Sequence, residues 1–575
     1  MKKSVVLLIS LFLWFNGIAQ SCLPEGIIFE TQAQIDSFPV NYPGCTMIEG
    51  KVEINGSDIT SLLGLQSLTR INGFVFITGN NNLTDLTGLN NLTFPGSRLA
   101  IWDNENLQSM HGLEAVDSIA GDLLIYNNNL LTSLDGLNNL KYIESSLILG
   151  DFSGGNPSLN TISALGNLTF IGRDIRLQSN STLESLYGLE GISRINNDLI
   201  IYANDSLHNL NGLENITIIA GNLSIAENNH IENVSGLQNL DSLGGDLEFS
   251  YNDVLNSISV LNKLQTIYGN FLVYDNDLLP SFVGLENIDT VYLSCSITGN
   301  NVLMDLQGLD GLTYIGGEMK IQNNDLLESL SHLNNLNNVN GDLTVYSNEL
   351  IQNMSGLENL HSIGGMLDIE FNPELKNLSG LEGIGTIGMD LTIASNAQLE
   401  ELDSLIHLVS INGKLTIDNN VDLNTLKGLD NIVANSVTDL TITNNDDLSE
   451  CAIFSICNYL ISPNGYVHIA FNWSGCNNIE QIENECITGI EPLNEIDQND
   501  IKVYYNSSSD LLFIEKPSVI PNSVVSVYTI NSQELIRQES TLPTTIINLS
   551  HLKDGYYFIR INSDKNVKVT KIVKN

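Results

Sequence analysis

The chain has 575 residues and carries 67 Asp and Glu against 23 Lys and Arg, a formal net charge of −44 at pH 7. A surface this acidic repels nucleic acid, anionic lipid and acidic polysaccharide, and so excludes them as direct ligands. Hydrophobic residues make up 42% of the chain and charged ones 16%, enough apolar content to build a large core.

At the amino terminus, Lys2 and Lys3 precede the apolar run Val5 to Phe15, and Gly17-Ile18-Ala19 supplies the small residues of a signal-peptidase site. Residues 1–19 therefore read as a signal peptide and the mature chain as starting at Gln20. The apolar run is too short to span a bilayer, and Ala19-Gln20-Ser21 before Cys22 is not a lipoprotein context. No later segment approaches transmembrane length, which predicts a soluble exported protein. Residues 20–49 form an amino-terminal cap, within which Cys22 and Cys45 are the natural disulfide pair in an oxidising compartment.

Residues 50–448 are a repeat. An asparagine recurs at a nearly fixed interval of 24 residues: Asn80, Asn104, Asn128, then Asn156 after a four-residue insertion, then Asn180, Asn204, Asn228, Asn252, Asn276, Asn300, Asn324, Asn348, Asn372, Asn396, Asn420 and Asn444. A fixed period of this length specifies a solenoid. One frame surrounds each asparagine, as in Leu123, Ile125, Asn128, Leu131, Leu134, Gly136, Leu137, Leu140 and Ile143. The Leu-x-Ile part has the period of two of a short strand, and the Gly-Asp before it is turn chemistry. Beyond the asparagine, apolar residues fall every third position (Leu207, Leu210, Leu213, Ile216, Ile219), whereas an amphipathic α-helix needs mixed spacings of three and four. Each coil is thus extended and turn-like, and stacks on the next by parallel pairing at about 4.8 Å per coil. A buried carboxamide at every turn satisfies backbone groups that a tight corner leaves unpaired, so the asparagine ladder is structural.

Residues 449–489 form a carboxyl-terminal cap holding Cys451, Cys457, Cys476 and Cys486. Cys451 and Cys457 lie in a segment that reads as a short helix separating them by about 9 Å, too far for a bridge. They are expected to cross-pair with Cys476 and Cys486, in a connectivity the sequence leaves open. The lack of any CxxC pair and the oxidising compartment argue against a zinc site. Cys295 stands alone in a core register, as a buried structural thiol.

After a linker over 490–500, residues 501–575 change character. Residues 490–575 hold nine Lys and Arg against ten Asp and Glu, while residues 20–489 hold twelve against 57. Short alternating runs at Leu511 to Ile514, Val524 to Ile530, Thr545 to Leu549 and Tyr556 to Ile561 predict a small antiparallel β-domain.

These residues carry two resemblances. Leu-x-Ile-x-x-Asn with its Gly-Leu-x-x-Leu-x-x-Ile-x-Gly-Asp continuation resembles the leucine-rich repeats of receptor L domains, over about residues 50–448. That resemblance implies a right-handed parallel β-helix, here an all-β solenoid of about 16 coils, and says almost nothing about function. In the tail, Val525-Ser526-Val527-Tyr528-Thr529-Ile530-Asn531-Ser532, Ile547-Asn548-Leu549-Ser550, Gly555-Tyr556-Tyr557 and the closing Val569-Thr570-Lys571-Ile572-Val573-Lys574 are similar to the type A sorting domain of the type IX secretion system. Where that family has a Pro-Asn-Pro segment, this chain has Tyr505-Asn506-Ser507. The resemblance implies the type IX machinery as partner, a diderm bacterium as host, delivery to the outer surface or beyond, and removal of a β-sandwich tail there.

The search for catalysis finds no nucleophile elbow, P-loop or zincin helix, and the eight histidines fall at differing phases of the coil as solvated surface residues. No enzyme, cofactor or metal is expected. The residue after each inward Ile faces outward, and in several coils it is aromatic: Trp102, Tyr126, Tyr202, Tyr274 and Tyr346. An exposed strip of such rings offers contact surface for a sugar or a protein. The reading is a secreted or surface-displayed recognition or adhesion protein with a glycan or protein ligand. Its alternatives are a carbohydrate-active β-helix enzyme and a structural surface-layer component.

Overall fold

The computed structural model describes residues 20–488 except 152 and 153, and residues 502–574 except 507–510, 516–522, 530–533, 541–543, 554 and 564–566. The signal peptide and the 490–500 linker lie outside the described residues. The chain divides into two compact units, one up to Cys486 and one from Ile487 onward.

The first unit is a parallel β-solenoid. Its main sheet runs from Ile27–Phe29 through Val52–Ile54, Phe74–Thr78 and every later Leu-x-Ile segment to Val467–Ala470. Neighbours pair in parallel with inward residues aligned, as in Leu199↔Leu223, Leu223↔Leu247 and Leu247↔Phe271. The sheet has 19 strands, so the solenoid has about 19 coils and not 16. The sequence frame undercounts because Ile27–Phe29 and Val52–Ile54 extend the sheet without a ladder asparagine, and Asn472 of the Val467–Ala470 coil follows Asn445 by 27 residues, off the 24-residue period. On another side, two-residue strands such as Ile218–Ile219 and Thr266–Ile267 form a second parallel ladder. Between them the every-third-residue leucines point into one continuous core, in which Leu207, Leu210, Leu213, Ile216 and Ile219 are fully buried.

The asparagines from Asn80 to Asn420 are all fully buried and bonded from coil to coil. Asn228 is representative. Its Nδ2 donates to the Ile201 and Ala226 carbonyls at 2.9 and 2.8 Å. Its Oδ1 accepts from the Asn204 backbone N–H at 3.0 Å and the Asn204 Nδ2 at 3.3 Å. Asn444 is not in this ladder. The coil between Leu415 and Leu440 is one residue longer than the frame, so the buried position passes to Asn445, whose Oδ1 accepts from the Asn420 N–H at 2.9 Å. Asn472 closes the ladder after it. Asn444 instead takes the preceding corner, with a left-handed φ of 58°, the conformation that Asp103, Asn127, Ala203, Glu227 and Tyr251 adopt in their coils.

In most coils a glycine precedes the inward leucine that follows the turn, although Ala164, Val260, His332 and Ser404 take that place in theirs. Gly236 has φ of +111°, and a Cβ there would lie 2.0 Å from the Leu210 carbonyl of the preceding coil. Only glycine lets the two backbones approach this closely.

Both ends are sealed by short helices. Gln32–Asn41 starts on a Thr31–Gln34 capping box and buries Ile35 and Phe38, with Phe38 packed edge-on against Phe29 at 5.7 Å. At the other end, Phe454–Ile461 and Ile479–Thr488 are tied to the last coils. The disulfides are Cys22–Cys45, Cys451–Cys476 and Cys457–Cys486, which resolves the connectivity of the carboxyl-terminal group. Cys295 is buried and free, and burial pushes its thiol up to about 12.

The second unit is antiparallel. Lys502–Asn506, Leu511–Glu515 and Thr544–Asn548 form one sheet; Glu534–Ser540, Ser523–Thr529, Gly555–Ser563 and Val567–Lys574 form the other. Leu512, Ile514, Val525, Val527, Ile547, Ile559 and Ile561 make its core.

Candidate binding surface on the strand face

The outward side of the main sheet is built by alternation. Inward Leu and Ile fix the register, and every second residue of the same strand must then face away from the core. Trp102, Tyr126, Tyr202, Tyr274 and Tyr346 all fall in one outward column, as Tyr126↔Trp102, Gln178↔Tyr202, Ser250↔Tyr274 and Gln322↔Tyr346 pair directly. Within that column Tyr202, Tyr274 and Tyr346 recur every third coil, as does Tyr126 before them, at about 14 Å intervals for coils spaced by 4.8 Å.

The rings are half-buried, not exposed as the sequence suggests. The cause is packing along the solenoid axis. Trp102 and Tyr126 stack on each other with centroids 5.8 Å apart and planes 8° apart, and Phe76 closes on Trp102 edge-on at 5.5 Å. A stacked pair shares its faces and offers less flat surface than two separate rings. Tyr346 similarly leans on Phe371 at 5.1 Å. The left-handed corner column adds exposed aromatics that the sequence frame does not single out, Tyr251 and Phe371 among them, because the corner turns the side chain onto the same face.

A second polar ladder lies at the entry to each strand. Here Asp246 Oδ1 accepts from the Asn270 N–H at 2.6 Å, Asn222 Oδ1 from the Asp246 N–H at 2.7 Å, and Asp390 Oδ1 from the Lys414 N–H at 2.7 Å. The Gly-Asp of the frame thus bonds the next coil as well as turning its own. Asp122, Asp174, Asp198, Asp342 and Asp439 accept backbone N–H bonds from the next coil in the same way.

Asp368 and Glu370 stand two residues apart on one strand of this face, beside Tyr346. Burial, then the Asp368 charge, their shared hydrogen bond and Asp418 push the Glu370 carboxyl up to about 7. Burial, with Asp342, raises Asp368 as well. Because the folded-state value of Glu370 lies above its ordinary one, the proton is held more tightly in the folded chain. The contribution of Glu370 to stability is therefore fully present below about pH 4.5 and is lost as pH rises through about 7. Glu370→Gln is expected to stabilise the fold at pH 8 by about 1 to 2 kcal/mol after allowance for solvent screening, seen as a higher melting temperature. At pH 4.5 it should have little effect, as thermal unfolding at the two pH values would check.

The histidines do not converge. His332 Nδ1 meets Asp310 at 2.7 Å, His208 and His230 lie 6.0 Å apart edge to face, and among the described residues no group of three His, Cys, Asp or Glu has metal-binding geometry. Among the described residues no helix is long and apolar enough to cross a membrane.

Two family models match the chain: the receptor L domain over residues 44–100 and the secretion system C-terminal sorting domain over residues 502–575. No curated protein matches it. The sorting domain marks the chain as cargo of the type IX secretion machinery, delivered to the cell surface or the outside.

Proposed function

We propose that the delivered chain is a recognition or adhesion protein whose strand face binds a glycan or a surface protein. The observation that supports this most is the aromatic column. Tyrosines return every third coil on one flat parallel sheet, while the intervening coils carry small or polar residues such as Ala226, Ser250, Thr298 and Gln322. A periodic arrangement of amphipathic rings suits an extended partner lying along the axis. The L-domain match over residues 44–100 agrees with a receptor-like role.

A second reading, a carbohydrate-cleaving enzyme, draws on the paired carboxyls Asp368 and Glu370. Their direct hydrogen bond weighs against it, since glycosidases hold their two carboxyls about 5 Å or more apart to flank the scissile bond. The exported protein should bind members of a glycan or surface-protein array and release no reducing sugar from the polysaccharides it binds. Turnover lost in Glu370→Gln would establish the enzyme instead.

A further inference from the structure

We infer that a hollow on the strand face between Tyr202 and Tyr251 is a binding site for a neutral pyranose, a deepening that rests on the recognition role proposed above. The hollow encloses about 380 Å³, which fits one or two sugar rings. Its shape comes from the outward column. Between Tyr202 and Tyr274 the two intervening coils carry Ala226 and Ser250, so the floor drops where rings would otherwise stand. Tyr251, 52% exposed at its left-handed corner, also lines the hollow.

The polar groups of the hollow are preset. Ser224 and Ser250 donate to the two oxygens of Glu248 at 2.8 and 2.9 Å, which pins that carboxylate to the floor. The Tyr202 hydroxyl is bonded to Glu227, and Tyr251 to Asp275. Gln178 is the telling member. It lines the hollow, is only 2% exposed, and its Nε2 has no hydrogen-bond partner in the protein. A buried amide without a partner costs about 1 to 3 kcal/mol, which a ligand acceptor restores.

The chemistry selects the ligand class. Glu227, Asp246 and Glu248 accept hydrogen bonds from hydroxyls and repel a uronate or sulfated sugar. The phenol rings take the apolar C–H face of a pyranose. Gln178 gives a buried, uncommitted donor. A lysine side chain would suit the carboxylates but leave the Gln178 donor unanswered and most of the volume empty.

The test uses the exported protein titrated with methyl glucoside, methyl mannoside, methyl galactoside, the matching methyl glucuronide and N-acetyl-lysine methyl ester, read by saturation-transfer NMR and calorimetry. At least one neutral pyranoside should saturate, with the glucuronide about tenfold weaker or more. Gln178→Met and Tyr251→Ala should each weaken that binding about tenfold or more, with the melting temperature unchanged in Tyr251→Ala and unchanged or raised in Gln178→Met, which removes a buried amide without a partner. Saturable sugar binding unchanged in both variants overturns the hollow but leaves recognition elsewhere on the face standing. No saturation by any neutral pyranoside, or preference for the lysine ester, overturns the inference, and the array experiment then judges the recognition role separately.

Discussion

Deleting residues 502–575 should abolish appearance of the protein outside the cell while leaving a folded solenoid behind in the periplasm. The two units have separate hydrophobic cores, and the tail shares neither the repeat frame nor the charge of the solenoid. The solenoid core is closed by its own helices and disulfides within residues 20–488, so nothing in it waits on the tail to fold. The sorting-domain match spans the whole of the deleted segment. Fractionation followed by circular dichroism of the trapped protein would check both halves of the expectation. Peptides from protein recovered outside wild-type cells should end before the tail, as mass spectrometry would show.

Asn228→Ala should destabilise the solenoid by about 2 to 5 kcal/mol. The side chain satisfies two carbonyls and an amide N–H that are shut away from water, and each buried orphan costs about 1 to 3 kcal/mol. A cavity too small to admit water cannot restore them. In a linear array each coil contacts only its neighbours, so the loss should appear first as faster amide exchange in the coils on either side. Hydrogen exchange across residues 199–252 would locate it. Asn444→Ala is the control, since Asn444 lies outside the ladder, in an exposed corner. Its effect should be limited to the loss of a residue type that tolerates left-handed backbone, with its Nδ2 contact to Asp418.

That pair of variants also marks what was legible beforehand. The stacking of coils, the ladder and the core follow from a side-chain period repeated so often that no other packing satisfies it. One inserted residue before Asn445 was enough to shift the phase, and period counting alone assigned the wrong neighbour. The terminal coils were hidden because Ile27–Phe29 and Val467–Ala470 lie among capping helices and do not repeat the asparagine in phase. The direction in which Trp102 and Tyr126 face was readable from alternation, but their mutual stacking was not, since exposure depends on side chains 24 residues away. The hollow needs the same cross-coil view. Gln178, Tyr202, Ala226 and Ser250 are neighbours only once the coils are aligned.

The central claim is that recognition occurs on the strand face, and it is tested by comparing two variants of the exported protein on one array. Tyr126→Ala with Tyr202→Ala and Tyr274→Ala strips that face. Tyr268→Ala with Tyr292→Ala removes a stacked, exposed pair from the turns that follow the two-residue strands, with rings 5.3 Å apart. The first variant should lose binding about a hundredfold or more at an unchanged fold, for central rings worth about 1 to 3 kcal/mol each. The second should bind as the unmodified protein does. Binding kept by the first variant and lost by the second would contradict the account.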